Sequence, residues 1–384
     1  MASQSVGAWR YLGLWCGVWA FLGMVLTFLF YHPPPRVNSM GLSRREIIAQ
    51  IDWVGGLLSI GGIILFIMGL VWGGYQYAWI SVHVLVPLVL GGVMIITFGF
   101  WETYGAKYPM FPKRLRAVPR TMGLTLLITF ISGANFFAVL LFWPSQSFNV
   151  YGHDPVGNGW RGLPIGLSIM VGACVVLALL SIFRGHNRAL LVTSSCLMTA
   201  GQGALACLNR ENLQVAYGLL VLAGLGIGGI VVPASIMTTI ICPDDLIATV
   251  AALTLSIRVV GGAIGYTAYY NILYSKALPL LTDAVVNASI EAGVLNVTVI
   301  EEIGNLLAVS LNEEILPLVG GNQTKSDMIV AAAQIAFSEA YKWVYYVSIP
   351  FGMVAVIAAC FLQDMSPYMV RLPLSDCDEY SNLF

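Results

Sequence analysis

The chain has 384 residues, 58% of them hydrophobic and only 10% charged, with a net charge of −1. Soluble domains carry about 25% charged residues, so a water-solvated globule is excluded, and the near-neutral balance gives no basic field for nucleic acid. Seven cysteines are scattered without a C-x-x-C pair. Six of them (Cys16, Cys174, Cys196, Cys207, Cys242 and Cys360, with Cys377 apart) lie within or at the edge of apolar stretches and read as small core residues.

A helix crosses a bilayer with about 20 apolar residues, and nine stretches meet that length. They are 11–31, 53–72, 80–100, 121–143, 162–183, 189–208, 215–241, 250–273 and 343–362. The first exceeds the ~7–15 apolar residues of a secretory signal and no A-x-A site follows, so it reads as a retained span. Forty glycines in such a chain point to close helix–helix approach rather than to loops. An odd number of spans puts the two chain ends on opposite sides of one membrane.

Lysine and arginine mark the cytosolic side. Arg36, Arg44, Arg45, Lys107, Lys113, Arg114, Arg116, Arg120, Arg184, Arg188 and Arg371 fall on one side. Arg10, Arg161, Arg210, Lys276, Lys325 and Lys342 fall on the other and are outnumbered. This bias places the amino end outside and the carboxyl end in the cytosol. The long segment 276–342, exterior on that count, holds all three N-x-S/T sequons of the chain, at Asn287, Asn296 and Asn322. Glycosylation acceptors belong on the same exterior face. The segment mixes Ala, Leu, Val and Glu with few breakers and is expected to be partly helical.

Arg258 is the one charge well inside a span, on a stripe with Thr254, Gly262, Gly265 and Tyr269. Intramembrane charges are costly and tend to face a cavity or a partner. Two readings stay open: a cavity-lining cation that meets substrate or a carboxylate, or a side chain that snorkels to the headgroups. Asn135, Gln202 and Tyr269 are further candidates along a substrate path, each equally explained by interhelical hydrogen bonding. Ser195, Thr199 and Gln202 form one polar stripe, and Pro233 with Ser235, Thr238 and Thr239 suggests a kinked helix with a polar face. Gly224-x-x-x-Gly228 and Gly261-x-x-x-Gly265 suit tight helix crossing. The acids and histidines fall in loops or at span ends, so this chain offers no midplane group for proton coupling. No catalytic signature or paired Cys/His ligand set is present, so neither an enzyme nor a cofactor or metal site is expected.

Several runs carry a family likeness: Phe30-Tyr-His-Pro-Pro-Pro-Arg36, Leu42-Ser-Arg-Arg-Glu46, Ile51-Asp-Trp-Val-Gly-Gly56 and Tyr108-Pro-Met-Phe-Pro112. Later come Gly162-Leu-Pro-Ile-Gly166, Gly224-Leu-Gly-Ile-Gly-Gly229, Arg258-Val-Val-Gly-Gly-Ala-Ile-Gly265 and Tyr341-Lys-Trp-Val-Tyr-Tyr-Val-Ser-Ile-Pro-Phe-Gly352. Together they resemble the major facilitator superfamily, in its fourteen-helix drug:proton antiporter branch, near the fungal trichothecene efflux pumps and siderophore transporters. The resemblance implies an all-α polytopic membrane protein, a partial helical bundle of about nine transmembrane helices. On that template, 1–31 supplies the last helix of the first six-helix half and 32–120 the two linking helices. Residues 121–362 supply the complete second half, including the exterior loop 276–342, and 363–384 a cytoplasmic tail; the first five helices are absent. Ala8-Trp-Arg-Tyr11 echoes Ala340-Tyr-Lys-Trp343 at equivalent places of the two halves.

The implied function is secondary active efflux of small amphipathic organic compounds such as mycotoxins or drugs, proton-coupled in the intact family. Its partners are the lipid bilayer, a small-molecule substrate and a complementary or full-length transporter, in the plasma membrane or else the vacuolar membrane. Two alternatives remain: a siderophore–iron transporter, or a non-transporting membrane protein that associates with a full-length relative.

Overall fold

The computed structural model describes residues 9–32, 51–74, 76–107, 109–110, 119–152, 154–183, 186–242, 246–308 and 314–363. The triple-proline run, the Leu42–Glu46 run, most of the Tyr108–Pro112 loop, many of the basic loop residues and the tail beyond Gln363 lie outside the described residues. The chain forms two compact units, Met1–Ile51 and Asp52–Phe384. In the first, α1 (Trp9–Phe30) is one helix along which nearly every side chain is exposed.

The second unit opens with a helical hairpin of α2 (Trp53–Trp72) and α3 (Val82–Phe100), the latter ending in a π turn, Trp101–Gly105. Glycines bring the two backbones together: a β-carbon on Gly69 would lie 2.8 Å from the Leu88 nitrogen. One Asp52 carboxylate does two jobs at the open end. It accepts the Gly55 N–H at 2.8 Å as the cap of α2, and both its oxygens accept Trp101 Nε1–H at 3.1 Å. The turn between the helices passes through Gly74 at φ +80°, a conformation glycine adopts without strain.

Six long helices follow: α4 (Pro119–Tyr151), α5 (Pro155–Ile182), α6 (Asn187–Ala204), α7 (Leu213–Ile241), α8 (Ile247–Glu291) and, after two short helices, α11 (Gln323–Cys360). Asp154 caps α5 through Val156 N–H and Gly157 N–H, and Asn322 caps α11 through Lys325 N–H. In this bundle α4 packs on α8 and α11, α5 on α7, and α6 on α7 and α11. Ile128, Phe142, Trp143, Leu191, Met198, Leu220, Ile227, Tyr269 and Tyr345 build its core. Lipid gives helices no hydrophobic reason to associate, so contact quality and hydrogen bonds decide. Gly224 and Gly228 of α7 lie against Ser168 and the Ile169 carbonyl of α5, and Gly261 and Gly265 of α8 against Phe130 and Ala134 of α4. A side chain on any of the four would collide.

Nine helices among the described residues are long and apolar enough to cross a membrane. Their limits differ from the sequence reading most at α8 and α11. The former continues past residue 273 to Glu291 and the latter begins at Gln323, well before residue 343. The reason is a second apolar cluster that packs four helical stretches of the segment 276–342 together. Leu281 and Val285 of α8 and Ile329 and Ala333 of α11 enclose Ile300, Ile303 and Leu307 of α9 (Val297–Ala308) with Ile315 of α10 (Ile315–Leu318). The result is a helical cap on one end of the bundle. Lys276 Nζ lies 4.5 Å over the Trp343 ring where the cap meets the long helices.

The cysteines require a correction. Of those described, only Cys242 is buried; Cys16, Cys174, Cys196 and Cys207 are exposed and Cys360 is half-buried. An apolar span does not put its cysteines in a core, because the outward face of such a helix meets hydrocarbon rather than water.

Candidate functional site

Arg258 sits eleven residues into α8, about 16 Å along the axis from Ile247 at 1.5 Å per residue. Its guanidinium turns to α7, where Nη2 donates to the Val231 carbonyl and, at 3.0 Å, to Ser235 Oγ. Val231 is itself about 15 Å from the end of α7 at Ile241. The guanidinium is therefore tied to α7 about 15 Å from the near ends of both helices. Pro233 lies between the two acceptors, inside α7. The stem of Arg258 passes Gly133 of α4, whose β-carbon would come within 3.0 Å of Arg258 Cγ. Three helices thus meet at this one side chain.

Asn135, Tyr269 and Gln202 are brought together by α4, α8 and α6, and all three are fully buried. Tyr269 O–H donates to Asn135 Oδ1 at 2.8 Å, and Gln202 Nε2–H donates to the Asn135 carbonyl at 3.2 Å. Asn135 Nδ2 and Gln202 Oε1 have no hydrogen-bond partner among the described residues. Phe142 and Phe351 stand edge-on to the Tyr269 ring at 6.3 and 5.7 Å. The geometry is that of a polar tie inside the packed core. Arg258 is separate from this cluster, eleven residues before Tyr269 on α8. Thr254, one turn before Arg258, lies 3.0 Å from Thr238 Oγ1 and adds a second hydroxyl link between α7 and α8. Ser195 and Thr199 are buried too, with Thr199 Oγ1–H donating to the Ser195 carbonyl at 2.7 Å.

A polar belt near the cap went unseen in the sequence. Ser145 Oγ lies 2.7 Å from Tyr341 O–H, Tyr345 O–H donates to Gln146 Oε1 at 2.5 Å, and Trp143 Nε1–H donates to the Arg161 carbonyl at 2.9 Å. Ending a span at Trp143, just before Pro144, hid it, because α4 runs through that proline to Tyr151. The available signal was the one-turn spacing of Tyr341 and Tyr345 on α11. Among the described residues no cluster of His, Cys, Asp and Glu fit to hold a metal ion occurs.

The three sequon asparagines lie on the cap and are exposed. Asn287 is inside α8 and Asn322 caps α11. Asn296 precedes α9 in an Asx turn, its Oδ1 accepting Thr298 N–H at 3.1 Å and Thr298 Oγ1–H at 2.6 Å.

Comparison with known proteins agrees with this architecture. A trichothecene efflux pump of Fusarium sporotrichioides is 24% identical over 376 residues, covering 94% of this chain and 62% of the pump. One from Trichoderma arundinaceum is 26% identical over the same length and coverage. An MFS-type transporter of Penicillium rubens is 28% identical over 383 residues, covering 94% of this chain and 67% of that protein. The chain thus spans about 62% of the length of the two pumps. The profile of the family described as fungal trichothecene efflux pump matches residues 2–375. With nine apolar helices among the described residues beneath that near-complete match, the chain is a multi-pass membrane protein of a transporter family, not an enzyme, and belongs to the fungal trichothecene efflux pump family.

Proposed function

We propose that the chain takes part in secondary active efflux of small amphipathic organic compounds of the mycotoxin class. The family match over residues 2–375 carries this reading. On the two-half template the six-helix unit from α4 to α11 is the second half, α2 and α3 are linking helices, and α1 closes the first half. Substrate then lies between the halves and moves as one rocks against the other. The names of the relatives, two trichothecene efflux pumps and a further efflux pump, favour outward movement over siderophore uptake. The plasma membrane is the proposed site of action, with the cap exterior and the carboxyl end cytosolic.

The reading is tested in a yeast strain stripped of its own efflux pumps. Expressed from a clone that keeps the genomic sequence upstream of Met1, the protein is expected to lower retention of a radiolabelled trichothecene several-fold. Unchanged retention in cells whose tagged protein reaches the plasma membrane overturns it. Orientation has its own check. Glycosidase treatment is expected to shift the mobility of the wild-type protein, and Asn287→Gln to remove the smallest share of that shift, since Asn287 lies inside a helix whereas Asn296 and Asn322 each precede one. Sequons that a protease reaches only from the cytosolic side reverse the proposed threading.

A further inference from the structure

We propose that Arg258 is the seat of a carboxylate: the site takes the acid group of an amphipathic organic anion at mid-membrane depth. This rests on the efflux reading and names a substrate class within it. A guanidinium has five N–H donors and stays charged in proteins. Both hydrogen bonds of Arg258 use Nη2, to neutral oxygens of α7. Nε–H is buried and has no partner among the described residues. No ion pair to Arg258 occurs among the described residues either. The charge therefore sits about 15 Å from the nearest helix ends with donors other than Nη2 unused, and a carboxylate accepts from these in charge-assisted hydrogen bonds.

The position is also open. Arg258 is only half-buried, and its neighbours Leu255 and Val259 on α8 are 55% and 58% exposed, so this face of the bundle presents an apolar surface around one cation. Such a surface fits the tail of an amphipathic acid whose head reaches the guanidinium. Val231, Ser235 and Gly133 act as positioning groups: the first two hold Nη2 and the third leaves room for the stem.

The test uses the purified chain in phosphatidylcholine nanodiscs, which bring no anionic lipid, and two fluorescent probes, 1-pyrenebutyrate and its uncharged amide. Wild-type protein is expected to bind the acid about tenfold more tightly than the amide, the worth of one charge-assisted pair. R258Q should erase that preference. R258K, which keeps the charge and loses the guanidinium's remaining donors, should lower the acid's affinity several-fold and leave the amide's unchanged. Equal binding of the two probes by the wild type overturns the proposal, as does an unaltered preference in R258Q. Should R258Q not remain monodisperse, R258K and S235A decide: unchanged acid affinity in both overturns it. A failure here leaves the retention assay standing, because a neutral metabolite carries no carboxylate; a failure there with the acid preference intact faults the efflux reading alone.

Discussion

Gly228→Leu should leave little folded protein. A β-carbon at this position runs into the Ile169 carbonyl oxygen, and Ala173 N lies 2.9 Å away, so the obstacle is backbone and no rotamer relieves it. To admit leucine, α5 and α7 must separate along a crossing that Gly224 and Gly172 also serve at close range. Overpacking costs about 1–3 kcal/mol in a core that can adjust, and more where backbone cannot. In lipid the loss is not recovered by hydrophobic burial, because separated helices meet hydrocarbon as readily as each other. The measurement is the thermal midpoint and monodisperse yield in detergent, with Gly218→Leu as the companion. Gly218 lies on the same helix with nothing near its β-carbon position. A large drop for Gly228→Leu with no drop for Gly218→Leu is expected; equal behaviour of the two would mean the close approach at α5 and α7 is not what holds them.

Tyr269 gives the second large effect, and two substitutions divide it. Tyr269→Ala removes a fully buried ring between Phe142 and Phe351 and opens a cavity in the centre of the bundle. Deletion of a buried aromatic side chain costs about 3–5 kcal/mol. The ring's dispersion attraction to its neighbours disappears equally whether lipid or water surrounds the protein. Tyr269→Phe keeps the ring and removes only the donor to Asn135 Oδ1. Interhelical hydrogen bonds in membranes are worth about 1 kcal/mol, so this variant should fall well short of the alanine one. Denaturation in mixed micelles checks the ratio. A phenylalanine variant as unstable as the alanine variant would make the polar tie, rather than the packed ring, the principal link between α4 and α8.

The spans were legible in the sequence because hydrocarbon imposes a length and a composition that few other segments meet. Which side of each span faces protein was not. The exposed Cys174 and the buried Ala173 stand side by side on α5, and both are apolar. Water would have forced a polar residue onto one of those faces; lipid does not. The cap reads the other way. On α9, Ile300, Ile303 and Leu307 are buried while Glu301 and Glu302 are exposed, a helical stripe that only a water-facing helix writes so plainly. At the polar positions the sequence supplied residue types but not partners. Asn135 and Tyr269 are 134 positions apart, and no local pattern joins them. Arg258 was visible as a lone charge, yet its destination on α7 depended on how two helices cross.

The length of α8 has a mechanical consequence. Its 45 residues make a shaft of about 67 Å, roughly twice the hydrocarbon thickness, continuous past Pro279 into the cap. The last eighteen residues reach about 27 Å beyond residue 273, so a swing of ten degrees in the buried part sweeps the tip sideways by roughly 5 Å. Ile329 and Ala333 of α11 are clamped into the same cluster, and the two shafts must travel together there. A spin label on the cap would act as a needle on a dial, registering from the aqueous side any tilt that begins among helices no water-borne probe can touch.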